Sequence, residues 1–305
     1  MPPSKTKLIV NPNADMGNAW RNALDLRPIV DEFGGADWTG TVYPTHATEL
    51  ARQAAEEGYE LVIAAGGDGT AHEVVNGLMQ VPAERRPRLG LVPLGSGNDF
   101  SHSVGMDKRP TYALRQVFTG KPRRIDIGMY KIGQGRQAFF DNTIGIGFDA
   151  TVTIRSHRLT FVRGFLMYMT AVLQTIILNH DAPLMHVSTD KEKWDEETIM
   201  LVVCNGPREG GGFFVQPDAK ADDGILHYVT IRRVSRPMML RLIPEVMNGT
   251  HGRFKQVRMG NLDKLQLQAE APLTIHADGE IIAGFGMDVR EVSIEMMPGA
   301  LEVMV

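Results

Sequence analysis

Gly66-Gly67-Asp68-Gly69-Thr70 follows an apolar run, residues 61–65, and precedes apolar residues at helical spacing, Val74, Val75, Leu78 and Met79. Glycines at a strand-to-helix turn let the backbone approach a ligand closely. The N–H groups that open the helix face an anion, and the helix dipole favours its negative charge. An aspartate inside such a turn fits a divalent cation carried by phosphates. The segment therefore points to phosphate chemistry. Thr70 and Glu73 also match a capping box, Thr-x-x-Glu, which gives Glu73 a structural reading. The chain contains no Gly-x-x-x-x-Gly-Lys-Ser/Thr sequence, which argues against a P-loop NTPase.

Two further loops follow predicted strands. Asn11-Pro12-Asn13, with Gly17 beyond, comes after residues 7–10. Pro93-Leu94-Gly95-Ser96-Gly97-Asn98-Asp99-Phe100 comes after a strand over 89–93. Ser96 is a candidate phosphate donor, and Asn98 and Asp99 suit organising the loop or holding water on a metal. Each loop alone also reads as an ordinary turn, since Asn, Pro and Gly are turn formers. Two acidic turns lie further on. Asp218-Ala219-Lys220-Ala221-Asp222-Asp223-Gly224 clusters oxygens that suit a hard cation, with Asp223 the leading carboxylate. Asp278-Gly279-Glu280 is a hairpin signal. It equally places two carboxylates where one accepts a proton from a substrate hydroxyl. The nine histidines show no metal spacing, and there is no Gly-x-Ser-x-Gly elbow. The single cysteine, Cys204, excludes an internal disulfide and reads as inert core.

The elements that position these loops divide the chain. Strands over 7–10, 39–43, 61–65 and 89–93 alternate with helical periodicity, which predicts a parallel sheet with helices on both faces. Ligands of such sheets sit beyond the carboxyl ends of the strands. After about residue 125, short strands dominate: 136–147, 185–189, 199–204, 226–231, 265–269, 273–277 and 292–305. They predict a mostly antiparallel second domain, interrupted by helices over 159–179 and 236–247. The expected division is 1–127, 128–290, and a last strand over 291–305.

The net charge of −4 removes the case for a general nucleic-acid binder. Basic residues are nonetheless concentrated: eleven against four acidic over 107–165, and seven against one over 231–258. Residues 165–178 carry no charge. They are too few to span a bilayer and suit a buried or interfacial helix. Arg155, Arg158 and Arg163 precede them, and Arg232, Arg233 and Arg236 follow later. These groups suit either a membrane-facing edge or solvated surface. The apolar run at residues 8–10 is too short for a signal-peptide core, so a cytoplasmic protein is expected.

With these residues assembled, the chain resembles the diacylglycerol kinase catalytic family, in its soluble bacterial lipid-kinase branch. Gly66–Thr70 with Glu73-Val74-Val75-Asn76-Gly77 carries the resemblance first. Pro93–Phe100 follows, then Pro217-Asp218-Ala219-Lys220 with Asp222-Asp223-Gly224, and finally Asp278-Gly279-Glu280. The resemblance implies an ATP-binding α/β domain, a β-sandwich domain, and an active site in the interdomain cleft. It implies that Asn11, Thr45, Gly66, Gly67, Asp68, Gly69, Thr70, Glu73 and Ser96 line ATP. It places catalytic carboxylates at Asp68, Asp278 and Glu280, and a structural Mg²⁺ at Asp223 with the carbonyls of Lys220 and Ile225. Asp99 and Asp126 fall to a supporting acidic network. The chain departs from the family at His72 and His102, where bacterial relatives carry Asn and Arg. The implied reaction is transfer of the γ-phosphate of MgATP to a lipid hydroxyl, diacylglycerol or a related lipid. A helix over 161–178 is expected to wall the acceptor slot. Peripheral membrane contact is expected, with a homodimer compatible. An NAD kinase-like phosphotransferase and a non-catalytic nucleotide or lipid binder are the competing readings.

Overall fold

The computed structural model describes residues 5–17, 19, 21, 24–135, 137–159 and 164–305. It divides into two compact units, residues 1–127 with 298–305, and residues 128–297.

The first unit is built on parallel strands. β1 (Thr6–Val10) lies between β2 (Asp37–Gly40) and β3 (Leu61–Gly66), and β3 pairs β4 (Arg88–Pro93), all parallel. Every residue of β3 is buried, as its unbroken apolar sequence requires of a strand covered on both faces. The helices His46–Glu56 and Asp68–Leu78 pack on each other. Ala47, Ala51, Ala54 and Ala55 keep the first one slim. Gly77 makes the approach feasible, since a Cβ there would sit 2.3 Å from the Thr48 carbonyl. The second strand lies at Asp37–Gly40 rather than at 39–43, and residues 41–45 form the turn into the next helix.

The second unit is largely antiparallel. Its strands include β6 (Gln137–Phe140), β7 (Thr143–Gly147), β8 (Leu184–Thr189), β9 (Lys193–Cys204), β10 (Leu226–Arg232), β11 (Val257–Leu262), β12 (Lys264–Ala269), β13 (Ile275–Ala277) and β14 (Glu280–Ala283). The unit boundaries fall inside two long strands, β5 (Pro122–Ile132) and β15 (Glu291–Met304). Two sheets share β9: its first half pairs β8, and its second half pairs β7 and β10. The order β14-β13-β7-β9-β10-β11 makes one sheet, and β9-β8-β12-β15 the other. This is a β-sandwich. Leu201 and Val203 face a core with Ile144, Leu265 and Ile294. The alternate residues Met200, Val202 and Cys204 face a second core under the helices Gly164–Leu178 and Arg236–Met247. Burial on both faces explains why residues 199–204 read as continuously apolar.

Several expected elements shift. The stretch 136–147 is two strands, broken by a bend at Asp141-Asn142, and Arg136 lies outside the described residues. The helix expected over 159–179 is described over Gly164–Leu178. Phe161 and Arg163 lie outside the described residues. A separate helix, Phe148–Ser156, precedes it.

Candidate functional site

In the first unit, β3 ends at Gly66, and Gly67 stands before the Asp68–Leu78 helix in extended backbone (φ −93°, ψ −168°). The helix starts at Asp68, so Thr70 lies within the first turn instead of capping it. The expected capping box is therefore absent. Glu73 caps the neighbouring helix: its two oxygens accept the N–H groups of Thr45 at 2.8 Å and Ala47 at 3.0 Å. Thr45 turns the chain with φ 71°, and a carboxylate is favoured at that positive helix end. Thr70 receives a bond from Asn11 instead, Nδ2 to Oγ1 at 3.1 Å, which ties the loop after β1 to the glycine loop.

The loop after β4 lies against the same place. The Leu94 N–H donates to the Gly66 carbonyl at 2.7 Å. A Cβ on Gly95 would stand 2.5 Å from Gly67 Cα, and one on Gly97 2.7 Å from Asp68 Oδ2. Glycine is required at both positions for this approach. Asn98, with φ 54°, fastens the loop: Oδ1 accepts from Gly95 N at 3.0 Å and Nδ2 donates to Gly95 O at 2.7 Å. Ser96 is exposed at its tip.

Asp68 accepts the Phe100 N–H at 3.3 Å. Burial and the adjacent Asp99 carboxylate push the Asp68 carboxyl up to about 7, against the pull of the Asn98, Asp99 and Phe100 amides. Two acids that repel each other beside a row of small residues fit a divalent cation, which would take the place of the proton. Asp126, also buried, accepts the Gly299 N–H at 2.7 Å and so holds the last strand segment. His72 is buried within the helix and bonded to Asn76, while His102 is exposed.

In the second unit, Asp278 (φ 49°) and Gly279 (φ 86°) form a tight hairpin between β13 and β14. The Asp278 carboxylate is buried and accepts three backbone N–H groups, from Asp141, Asn142 and Thr143, each at 2.9 Å. Glu280, two residues on, is exposed. Burial and the charges of Asp278 and Glu280 hold the Tyr130 phenol above its ordinary range. The earlier acidic turn is exposed at Lys220 and Asp223. Asp223 accepts the Ile225 N–H at 3.2 Å, and His227 Nε2 stands 3.2 Å from its other oxygen. Both Asp223 oxygens are thus engaged within the protein, and a cation at this turn would have to displace His227.

An apolar cavity of about 80 Å³ lies beneath the helices Gly164–Leu178 and Arg236–Met247. Val172, Ile176, Phe213, Met239 and Leu242 are among its walls, and Asp149 is its carboxylate. Tyr168 donates to Asp149 Oδ1 at 3.1 Å. His276 Nε2 lies 2.8 Å from Asp149 Oδ2 and 3.1 Å from Glu209 Oε1, all three residues buried. Sequence reading missed this cluster. A signal was present for Asp149 alone: Gly147-Phe148-Asp149 repeats the pattern of Gly66-Gly67-Asp68, an apolar strand running through glycine into a helix with an early aspartate. The basic groups are partly engaged. Arg155 donates to Asn179, Arg233 pairs with Glu197, and Arg236 Nε donates to the Ile176 carbonyl. Among the described residues no helix is long and apolar enough to cross a membrane.

The diacylglycerol kinase catalytic domain matches residues 5–130, and the YegS C-terminal NAD kinase beta sandwich-like domain matches residues 142–305. The chain is 34% identical over 259 residues to a "Probable lipid kinase YegS-like" of Chromohalobacter salexigens, covering 83% of this chain and 78% of that one. It is 27% identical to a diacylglycerol kinase of Mycobacterium tuberculosis, covering 85% and 81%. A crystal structure of a diacylglycerol kinase from Bacillus anthracis has the same fold, with TM-score 0.73, 21% identity, and 99% and 96% of the chains covered. Yeast NADH kinase is a more distant likeness, with TM-score 0.51 and 11% identity over 99% and 82%.

Proposed function

This chain belongs to the diacylglycerol kinase catalytic family of lipid kinases, and on that premise we propose that it transfers the γ-phosphate of ATP, as its Mg²⁺ complex, to a lipid hydroxyl, with diacylglycerol the leading acceptor. The observation that carries the reading is the Asp68–Asp99 pair, set among backbone N–H groups where the loops after β3 and β4 meet. A nucleotide phosphate with its cation answers both features at once.

When bound, Mg²⁺ neutralises charge on the β- and γ-phosphates. Asp68 holds it, with Asp99 in support. The N–H groups of Gly66–Thr70 receive phosphate oxygens, with Ser96 as a further donor. Asn11, through Thr70, and Glu73, through the turn at Thr45, shape the nucleotide site. Asp278 and Glu280 take separate parts. Asp278 is occupied by three backbone donors, so it positions the turn. Glu280, exposed on that turn, accepts the proton of the lipid hydroxyl. The cavity beside Asp149 receives part of the acyl chain. Asp223, with the carbonyls of Lys220 and Ile225, would hold a second, structural Mg²⁺ if His227 is displaced.

The test is label transfer from γ-labelled ATP to a panel of acceptors in mixed micelles with Mg²⁺: diacylglycerol, phosphatidylglycerol, ceramide, a sphingoid base and, separately, NAD. Label in a lipid and none in NAD is expected. Label in NAD alone would overturn the reading in favour of a pyridine-nucleotide kinase.

A further inference from the structure

His276 is buried on β13, two residues before the turn that carries Asp278, Gly279 and Glu280. Its ring has a partner at each nitrogen. Nε2 stands 2.8 Å from Asp149 Oδ2 and 3.1 Å from Glu209 Oε1. Nδ1 accepts the Gly279 N–H at 3.3 Å. The three side chains come from separate elements. Asp149 lies in the first turn of the helix Phe148–Ser156, and Glu209 begins a tight turn closed by its bridge to Phe213. Room for them is made on β7. Gly145 pairs with His276 across the sheet, and a Cβ on it would collide with both His276 Nε2 and Asp149 Oδ2. Glycine is what admits the cluster at this strand position.

The hydrogens of the ring follow from these partners. Burial opposes protons on the ring, and the Glu209 and Asp149 carboxylates pull them onto it. A proton on Nε2 serves both carboxylates. A second one, on Nδ1, would point at the Gly279 N–H and break that bond. The geometry is therefore that of the neutral ring with its hydrogen on Nε2. The same bond argues against a metal ion on Nε2, since the ring hydrogen would then have to sit on Nδ1.

We propose that His276 is a positioning residue for the transfer step: through Nδ1 it holds Gly279, and so aims Glu280 at an acceptor hydroxyl presented from the cavity that Asp149 lines. The inference rests on the lipid-kinase reading and on Glu280 as the proton acceptor. Asp278 grips the turn from one side, through the amides of Asp141, Asn142 and Thr143, and His276 grips it from the other. Glu280 follows Gly279 directly and is exposed, so the anchoring of the backbone sets its direction. The far side of the ring is bonded to Asp149, which is a wall of the cavity, so the turn is tied to the place that receives the acceptor.

The experiment separates the two ring nitrogens. His276→Asn places an amide oxygen near the Nδ1 position and can still accept from Gly279. His276→Gln places an amide nitrogen near the Nε2 position and can still donate to Asp149 and Glu209. Stability should follow the carboxylates, with His276→Gln melting above His276→Asn. Turnover should follow the turn. His276→Gln should lower kcat roughly 10- to 100-fold at unchanged KM for MgATP, and His276→Asn should recover most of that loss. Amide exchange at Gly279 should quicken in His276→Gln and not in His276→Asn. If kcat instead tracks melting temperature, with His276→Gln the more active, the role is structural and the proposal is overturned. Should neither variant fold, the imidazole nitrogen-15 shifts of the wild type decide: an unprotonated Nδ1 supports the proposal, and a protonated Nδ1 overturns it. A wild type that labels no acceptor in mixed micelles counts against the lipid-kinase reading, whereas equal Gly279 exchange in wild type and His276→Gln counts against His276 alone.

Discussion

Asp68 and Asp278 both follow the end of a strand and both stand beside glycine, yet the two units hold them in opposite ways. Asp68 accepts the Phe100 N–H at a long 3.3 Å, with the Asn98 and Asp99 amides also drawing on it, and has a second carboxylate for a neighbour. Asp278 has three amide donors at 2.9 Å. The first is an acid short of positive charge and suited to a cation that arrives with substrate. The second already has its partners inside the protein. The difference teaches that an Asp-Gly turn is not a role. Its role is set by which backbone donors the rest of the fold brings to it.

Splitting the Asp278–Glu280 pair is the sharpest way to break this comparison. Glu280→Gln is expected to lower kcat by about 10²–10⁴-fold. It should leave the melting temperature unchanged, since the side chain is exposed. If Glu280→Gln retains wild-type turnover, the proton goes elsewhere. Asp278→Asn should instead cost about 1–3 kcal/mol of stability, because a buried acceptor of three amides is weakened. Urea denaturation measures this, and an unchanged midpoint would show that the three bonds carry no stability.

The Asp68 side of the comparison is read by pH. Its folded pKa, near 7, lies above the unfolded value of 3.8, so the folded state binds the extra proton between those limits. Stability from this group is therefore fully present below pH 4 and is lost as pH rises towards 7. In protein free of divalent cations, Asp68→Asn should flatten that part of the melting-temperature profile. Parallel profiles for wild type and variant would contradict the placement of Asp99 beside Asp68.

The smallest expected effect is at Glu73. Glu73→Ala removes the carboxylate that caps the His46–Glu56 helix and should cost about 1 kcal/mol. Hydrogen exchange should quicken at Thr45 and Ala47. No change at those two amides would return Glu73 to another role.

The sequence carried the alternation of β3 and its flanking helices plainly, because a strand buried on both faces has no choice but an unbroken apolar run. The plan of an α/β unit followed by a mostly antiparallel one came from that and from the change of period after residue 125, while the β-sandwich was implied by the family resemblance. β2 was misplaced by two residues because three of the four residues Asp37-Trp38-Thr39-Gly40 are exposed and show no apolar run. β11, Val257-Arg258-Met259-Gly260-Asn261-Leu262, was missed for the same reason: four of its residues are partly or fully exposed, and a glycine interrupts it. Glu73 fitted a local capping rule three residues from Thr70, and only tertiary packing shows it capping a different helix. The cluster of Asp149, Glu209 and His276 was out of reach because its members lie 60 and 67 residues apart along the chain. No spacing rule joins such residues before the strands are paired.

The most direct measurement is label transfer from γ-labelled ATP to diacylglycerol in mixed micelles with Mg²⁺, wild type beside Asp68→Asn, at pH 8. The wild type should label the lipid, and the variant should fall by at least about 10²–10³-fold, the scale of losing one charge-stabilising group. Its unfolding transition should be retained. Equal labelling by the two proteins would contradict Asp68 as the cation's carboxylate, and with it the division of labour between the two acidic turns.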